Sequence, residues 1–164
     1  MDELLDNFKK ELAARLHGIP RDRIVFVGVG NRLRRDDGIG PEAIGLLEGR
    51  VPNALDTDSV PENYTAAIKR LNPSAIVFID ALDFGGSPGS VRLIEASDIQ
   101  GYGVSTHNLS LDVSMEYLMH ETGADVFLVG VQPERIGDGE GVSPSLVEPL
   151  KKIADALAGV PDDG

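Results

Sequence analysis

Three short apolar runs constrain the fold more than any other feature of the sequence. They read RIVFVGV at 23–29, AIVFIDA at 75–81 and DVFLVGV at 125–131. Each run is rich in β-branched residues and lacks the apolar–polar alternation of a half-buried strand, which is typical of strands buried on both faces. Such strands need helices on both sides of their sheet, so the three runs predict a mostly parallel sheet in an α/β fold.

The segments between these runs supply the helices and two weaker strands. Apolar residues recur at helical spacing in 2–16 before Gly18 and Pro20, and Pro41 can begin a helix that continues to about Arg50. The remaining patterns predict helices at 61–71, 108–123 and about 143–158, a weak strand at 53–59, a short edge strand that can run antiparallel at 90–96, and loops at 97–107 and 132–141. The predicted fold is a three-layer α/β sandwich: a mostly parallel, five-stranded twisted sheet with helices on both faces.

Composition limits the classes of partner and of chemistry. The 164 residues predict a single domain, 1–164, with an N-terminal helical extension at 1–20 and a core at 23–158. A net charge of −12 disfavours nucleic acids and anionic membrane surfaces as partners. The chain has no cysteine, so any metal site must use histidine and carboxylate ligands. No apolar run approaches the ~20 residues of a membrane span, and we therefore expect a cytoplasmic protein.

Two aspartates lie where such a fold binds its ligands, beyond the carboxyl ends of the strands. Asp80 ends an apolar strand, where burial disfavours a charged carboxyl group unless a cation or hydrogen-bond donors compensate. Asp37 lies with Asp36 in a glycine-bounded turn after the first strand. The alternative for this pair is two solvated turn residues whose charge suits the start of a helix.

His107 differs from the other two histidines in its position. It precedes a predicted helix beside Asn108, a plausible N-cap, and its alternative is an exposed loop histidine. His17 and His120 fall at helix C-termini, where a structural role is expected. If His107 reaches the same rim as Asp37 and Asp80, the three side chains form an O,O,N set that suits a divalent ion such as Ni, Zn or Mn.

Two other chemistries find less support in the sequence. A Ser–His–Asp triad built from Ser105 or Ser110 with His107 is possible, but no G-x-S-x-G motif accompanies it. Gly28 and Gly30 begin a dinucleotide-binding pattern, but Leu33 occupies the position of its third glycine and no P-loop lysine is present.

Four ordered blocks resemble successive blocks of the NiFe-hydrogenase maturation endopeptidases over about residues 23–155. They are GVGNRLRRDDGIGPEA, VFIDALDFGGSPGSVRLIE, STHNLSLDVSMEYL and VFLVGVQPERIGDGEGVSPSLVEPL. The segment VPENY at 60–64 is most similar to the branch that processes the formate-hydrogenlyase hydrogenase. The resemblance implies a cytoplasmic, monomeric, aspartic-type endopeptidase that removes a C-terminal extension from the nickel-loaded precursor of a hydrogenase large subunit.

The resemblance also implies site residues. The metal-binding and catalytic positions of the family map onto Asp37, Asp80 and His107, with nickel carried by the substrate and with Zn or Cd able to occupy the same site. An aspartate implicated in substrate recognition maps onto Asp56, although Asp58 is close enough to be confused with it. A non-proteolytic nickel carrier or checkpoint protein for hydrogenase assembly is the alternative function.

The remaining residues of the opening turn receive smaller roles. Asp36 is expected only to shape the turn or to hydrogen-bond its backbone, and Arg34 and Arg35 are expected to be solvated counter-charges.

Overall fold

The computed structural model describes residues 2–102 and 108–160 and contains one five-stranded sheet. The strands are β1 (Ile24–Gly28), β2 (Ala54–Asp56), β3 (Ala75–Ala81), β4 (Val91–Ile94) and β5 (Asp125–Val131). The α-helices are α1 (Asp2–Leu16), α2 (Ile39–Leu47), α3 (Thr65–Arg70), α4 (Asn108–Thr122) and α5 (Val147–Ala158).

The sheet has the order β2-β1-β3-β5-β4. The pairs β1–β2, β1–β3 and β3–β5 are parallel, whereas β4 pairs antiparallel with β5 at the edge. All seven residues of β3, the central strand, are buried. The mostly parallel sheet and the short antiparallel edge strand are therefore confirmed.

Alternate residues of the strands enter two separate cores, one on each face of the sheet. On one face, side chains such as Val77 and Phe127 pack with α1, α2 and α5. On the other face, side chains such as Phe78 and Leu128 pack with α3 and α4. Burying a side chain of this size contributes roughly 1.5–3 kcal/mol, so each face supplies a substantial part of the stability. The predicted three layers are confirmed.

Helix α1 belongs to the first of these cores. Its residues Phe8, Leu12 and Leu16 are buried, and the helix contacts β4 and α5. It ends at Leu16, and Gly18 follows with a φ of +76°, as the sequence predicts. The predicted N-terminal helix therefore forms part of the packed interior.

Arg15 fixes the end of α1 to the amino end of β5. Its guanidinium contacts Asp125, with Nε 2.9 Å from Oδ2 and Nη2 2.5 Å from Oδ1, and it also pairs with Glu95. The guanidinium carbon lies 4.4 Å from the centre of the Phe127 ring. Hydrogen bonding to Asp125, reinforced by Glu95, raises the pKa of Arg15 above its ordinary value.

The largest departures from the predicted boundaries involve 3-10 turns. Helix α2 begins at Ile39 rather than Pro41, after a 3-10 turn at Asp36–Gly38, and ends at Leu47. Pro41 still lies in the first turn, where backbone N–H groups have no partner within the helix.

Three other segments depart in the same way. The helix predicted at about 143–158 opens with a 3-10 turn at Pro144–Leu146 before α5. The segment predicted as a helix at 61–71 opens with a 3-10 turn at Pro61–Tyr64 before α3, and the predicted loop after residue 96 contains another at Ala96–Gly101. The weak strand at 53–59 is reduced to the three residues of β2.

None of the helices in the described residues is long and apolar enough to cross a membrane.

Candidate active site

The carboxyl ends of the parallel strands bring Asp80 and the Asp37 turn to one edge of the sheet. Gly28 at the end of β1 is in register with Ile79, and Asp80 is in register with Gly130 of β5. Asp80 is fully buried. The turn that carries Asp37 follows β1 and lies against β3.

Glycines allow the turn and the start of α2 to approach the strand ends this closely. A Cβ atom on Gly40 would lie 2.2 Å from the Val29 carbonyl oxygen and 2.5 Å from that of Ile79. A Cβ atom on Gly30 would lie 1.9 Å from the carbonyl oxygen of Asp37. These distances are far below van der Waals contact. Glycine at these positions therefore allows the backbone to pack closely against the strand ends.

Asp37 is 2% exposed and is held by the beginning of its own loop. The backbone N–H of Asn31 donates to both the carbonyl oxygen and the Oδ2 of Asp37, each at 3.2 Å. Asp37 in turn donates its own N–H to the carbonyl oxygen of Arg34 at 3.2 Å. The interpretation of Asp36 and Asp37 as solvated turn residues is wrong, because both are buried.

Asp36 has a larger role than the sequence suggests. Its carboxylate is fully buried and accepts hydrogen bonds from the loop that follows β5, donated by Glu134, Arg135 and Ser143. These donors lie between 98 and 107 residues away along the chain. Asp36 therefore joins two loops. No local signal in the sequence identifies such distant donors.

Arg35 also belongs to the junction between these loops, which corrects the expectation that it is a solvated counter-charge. Its N–H donates to the Gly139 carbonyl oxygen at 2.9 Å, and its Nη1 donates to the Glu140 carbonyl oxygen at 3.0 Å. Arg35 has a φ of +57°, which is unusual for a residue other than glycine. Arg34 is partly exposed and its backbone forms a β-bridge with Gly139, so its expected role as a counter-charge stays a prediction.

Gln132 connects a third loop to the same edge, and no pattern in the sequence indicates this role. Its Oε1 accepts the N–H groups of Phe84 at 2.9 Å and Gly86 at 3.1 Å. Its Nε2 donates to Asp83 Oδ1 at 3.1 Å. The loops after β1, β3 and β5 are therefore linked to one another by two buried side chains, those of Asp36 and Gln132.

Asp56 lies at the end of β2 and is exposed. Its Oδ1 accepts the N–H of Asp58 at 3.0 Å, and its Oδ2 is 3.7 Å from the Nε of Arg32. Arg32 also contacts Glu42 at 3.3 Å. Asp56 is thus accessible to a large partner, although its charge is partly balanced by Arg32.

A groove of about 450 Å³ opens beside the Asp37 turn. Gly38, the residue after Asp37, lies in its wall. The lining residues are Asn31, Arg32, Leu33, Arg35, Gly38, Glu42, Asp58, Glu140, Gly141 and Val142. The groove offers space for an extended chain beside the turn, but neither Asp37 nor Asp80 is among its lining residues.

His107 and Ser105 lie outside the described residues, and the side chain of Ser110 is not described. Within 2–102 and 108–160, no three histidine, aspartate or glutamate side chains are grouped so that they could hold a metal ion. The O,O,N set with His107 and the Ser–His–Asp alternative both stay predictions. His17 and His120 are exposed at the helix ends where the sequence places them.

Comparison with known proteins gives consistent matches along the chain. The family model described as "HycI: Hydrogenase maturation protease" matches residues 50–160. The hydrogenase 3 maturation protease of Escherichia coli K12 is 31% identical over 148 residues, which cover 85% of this chain and 92% of that protein.

Solved structures agree with these matches. The hydrogenase maturation protease HycI from Thermococcus kodakarensis KOD1 is similar with a TM-score of 0.81 and 32% identity, covering 92% of this chain and 97% of that one. The solution structure of the endopeptidase HycI from Escherichia coli has a TM-score of 0.74 and 30% identity, with 83% and 89% of the two chains covered. The family-model match begins at residue 50, so it does not include β1 or the Asp36–Gly38 turn.

Proposed function

Since the chain belongs to the hydrogenase maturation protease family and is therefore a peptidase, we propose that it removes a C-terminal extension from the nickel-loaded precursor of a NiFe-hydrogenase large subunit. The observation that carries the proposal is the placement of two buried carboxylates, Asp37 and Asp80, at one edge of the sheet, with an open groove beside the turn that carries Asp37. The same proposal places the reaction in the cytoplasm and takes the enzyme as a monomer.

The two aspartates suit a metal that arrives with the substrate. Both carboxylates are buried at the carboxyl ends of the strands, and carboxylate oxygen is a ligand that divalent ions accept. A divalent ion in the precursor would be attracted to these oxygens, so the free energy of binding depends on whether the metal is present. We propose that Asp37, Asp80 and His107 engage this nickel, and that Zn²⁺ or Cd²⁺ can take its place because all three ions accept oxygen and imidazole ligands.

The proposed chemistry is hydrolysis of one peptide bond. The nickel ion carried by the precursor would act as a Lewis acid near the scissile carbonyl or the attacking water. Asp37 and Asp80 hold acceptor oxygens at the same edge, where a carboxylate can receive a proton from the attacking group. We further propose that Asp56 recognises the precursor, because it is exposed at the end of the strand next to β1.

The test uses two forms of the same purified precursor, one loaded with nickel and one free of it. Each is incubated with the enzyme, and the products are measured by intact mass spectrometry. We expect only the nickel-loaded form to be shortened. Equal cleavage of both forms would refute nickel recognition, and tight binding of free Ni²⁺ without cleavage of either form would support the carrier function instead.

A further inference from the structure

Asp36 has no place in the proposed metal-binding set, yet it is one of the most deeply buried charged residues of the site. We propose that Asp36 is a positioning residue, which holds Asp37 in place for cleavage by anchoring its turn to the loop after β5. The inference rests on the proposed function, because it assigns a role in the same reaction.

Four hydrogen-bond donors meet the Asp36 carboxylate. Its Oδ2 accepts from the N–H groups of Glu134 at 2.9 Å and Arg135 at 2.7 Å, and from the hydroxyl of Ser143 at 2.8 Å. Its Oδ1 accepts the N–H of Ser143 at 2.6 Å. A carboxylate only accepts hydrogen bonds, so it matches four converging donors in a way that an amide of the same shape does not.

All four donors come from another loop, the one that follows β5. A carboxylate that merely capped its own turn would accept N–H groups within a few residues. The N–H of Asp36 extends the junction by donating to the carbonyl oxygen of Arg135 at 3.1 Å. The side chain and backbone of one residue thus hold the Asp36–Gly38 turn against the 134–143 loop.

The residue that precedes Asp36 has a strained backbone. Arg35 has a φ of +57° and a ψ of −120°, a conformation that is unfavourable for a residue with a side chain. Such a conformation persists only when surrounding contacts impose it. The hydrogen bonds of Asp36 and those of Arg35 to Gly139 and Glu140 are contacts of this kind. Losing those of Asp36 weakens the constraint on the turn and allows Asp37, the next residue, to move.

The experiment compares three variants of the full chain in cleavage of the nickel-loaded precursor. The Asp36→Asn side chain keeps the shape of the carboxylate, but its NH₂ group faces N–H or O–H donors. Ser143→Ala removes only the hydroxyl donor. Arg15→Ala is a matched control, because it weakens the fold at the amino end of β5, away from the carboxyl ends of the strands where the site lies. All rates are measured where circular dichroism shows each variant to be folded, and amide hydrogen exchange is followed by NMR.

We expect kcat to fall about tenfold or more in Asp36→Asn and about threefold in Ser143→Ala, and to stay at the wild-type value in Arg15→Ala. In Asp36→Asn, exchange should accelerate at the N–H of Asn31, which contacts Asp37 directly, as well as at Arg135. A wild-type kcat in Asp36→Asn overturns the proposal, as does an equal loss of kcat in Arg15→Ala at a matched loss of stability.

Two further outcomes are also decisive. If Asp36→Asn does not fold, Ser143→Ala decides alone, because an unchanged kcat in that variant overturns the proposal. If the wild-type enzyme does not shorten the precursor, the proposed function fails. Faster exchange at Asn31 in Asp36→Asn then still supports the positioning of Asp37, and unchanged exchange refutes it.

Discussion

Ser143 donates two hydrogen bonds to Asp36, one from its backbone nitrogen to Oδ1 at 2.6 Å and one from its hydroxyl to Oδ2 at 2.8 Å. The two residues are 107 positions apart in the chain. The two adjacent aspartates therefore have different positions and contacts. Asp36 connects two loops, whereas Asp37 lies with Asp80 at the edge of the sheet formed by the carboxyl ends of the strands.

The first prediction concerns the proposed catalytic carboxylates. Asp37→Asn and Asp80→Asn should each lower the cleavage rate by about 100-fold or more, because an amide neither carries the charge that binds a cation nor accepts a proton well. His107→Ala should have the same effect. The melting temperature of Asp37→Asn should change little, since asparagine keeps an oxygen to accept the N–H of Asn31. Full activity in any of these variants, measured on the nickel-loaded precursor, removes that residue from the site.

The second prediction tests the packing of α2 against the strand ends. Gly40→Ala should destabilise the protein by about 3 kcal/mol or more, because the added methyl group would meet backbone oxygens that cannot move aside. Gly45→Ala, in the same helix, is the matched control. The nearest atom to its Cβ would be 4.0 Å away, so this variant should be stabilised by up to about 1 kcal/mol. Urea unfolding measures both, and an equally stable Gly40→Ala would contradict the close-packing interpretation.

The third prediction concerns the anchor of the N-terminal helix. Arg15→Ala should lower the free energy of unfolding by about 1–2 kcal/mol, since it removes two ion pairs and a cation–π contact. Arg50→Ala removes a single ion pair, with Asp155 at 2.9 Å, which is more exposed than the pairs of Arg15. This variant should lower the free energy of unfolding by less than about 1 kcal/mol. Both losses are measured by denaturant unfolding. Equal losses would show that Arg15 contributes no more than an ordinary surface pair.

The fourth prediction separates recognition from chemistry. Asp56→Asn should raise KM for the precursor and leave kcat near the wild-type value, because an exposed charge at the end of β2 contributes to binding rather than to bond cleavage. Asp58→Asn is the comparison, since asparagine tolerates the φ of +51° at this position. Steady-state kinetics decide between the two aspartates. A raised KM in Asp58→Asn alone would assign recognition to Asp58.

The strands were predictable because their signal is local. The apolar runs at 75–81 and 125–131 coincide with β3 and β5, since a strand buried on both faces must be apolar throughout. The beginning of α2 was missed by two residues because the Asp36–Gly38 turn depends on contacts with another loop. Local sequence carries no information about such contacts.

The candidate site was predictable to a different degree for each residue. Asp80 stands out because a carboxylate ends an apolar run, and its burial agrees with that reasoning. The role of Asp36 is underestimated from the sequence, because its hydrogen-bond donors lie 98 to 107 residues away along the chain. Gln132 gave no signal at all, since a glutamine after a strand is equally compatible with an exposed loop.

The packing of α1 also constrains how the first core can form during folding. Phe8 and Leu12 are buried in the same core as α5, although most of the described chain lies between these two helices. Until α5 docks, these apolar side chains lack part of their cover. Since contacts between distant parts of a chain form slowly and leave intermediates prone to aggregation, a folding intermediate in which α5 has not yet docked is the form most exposed to misfolding.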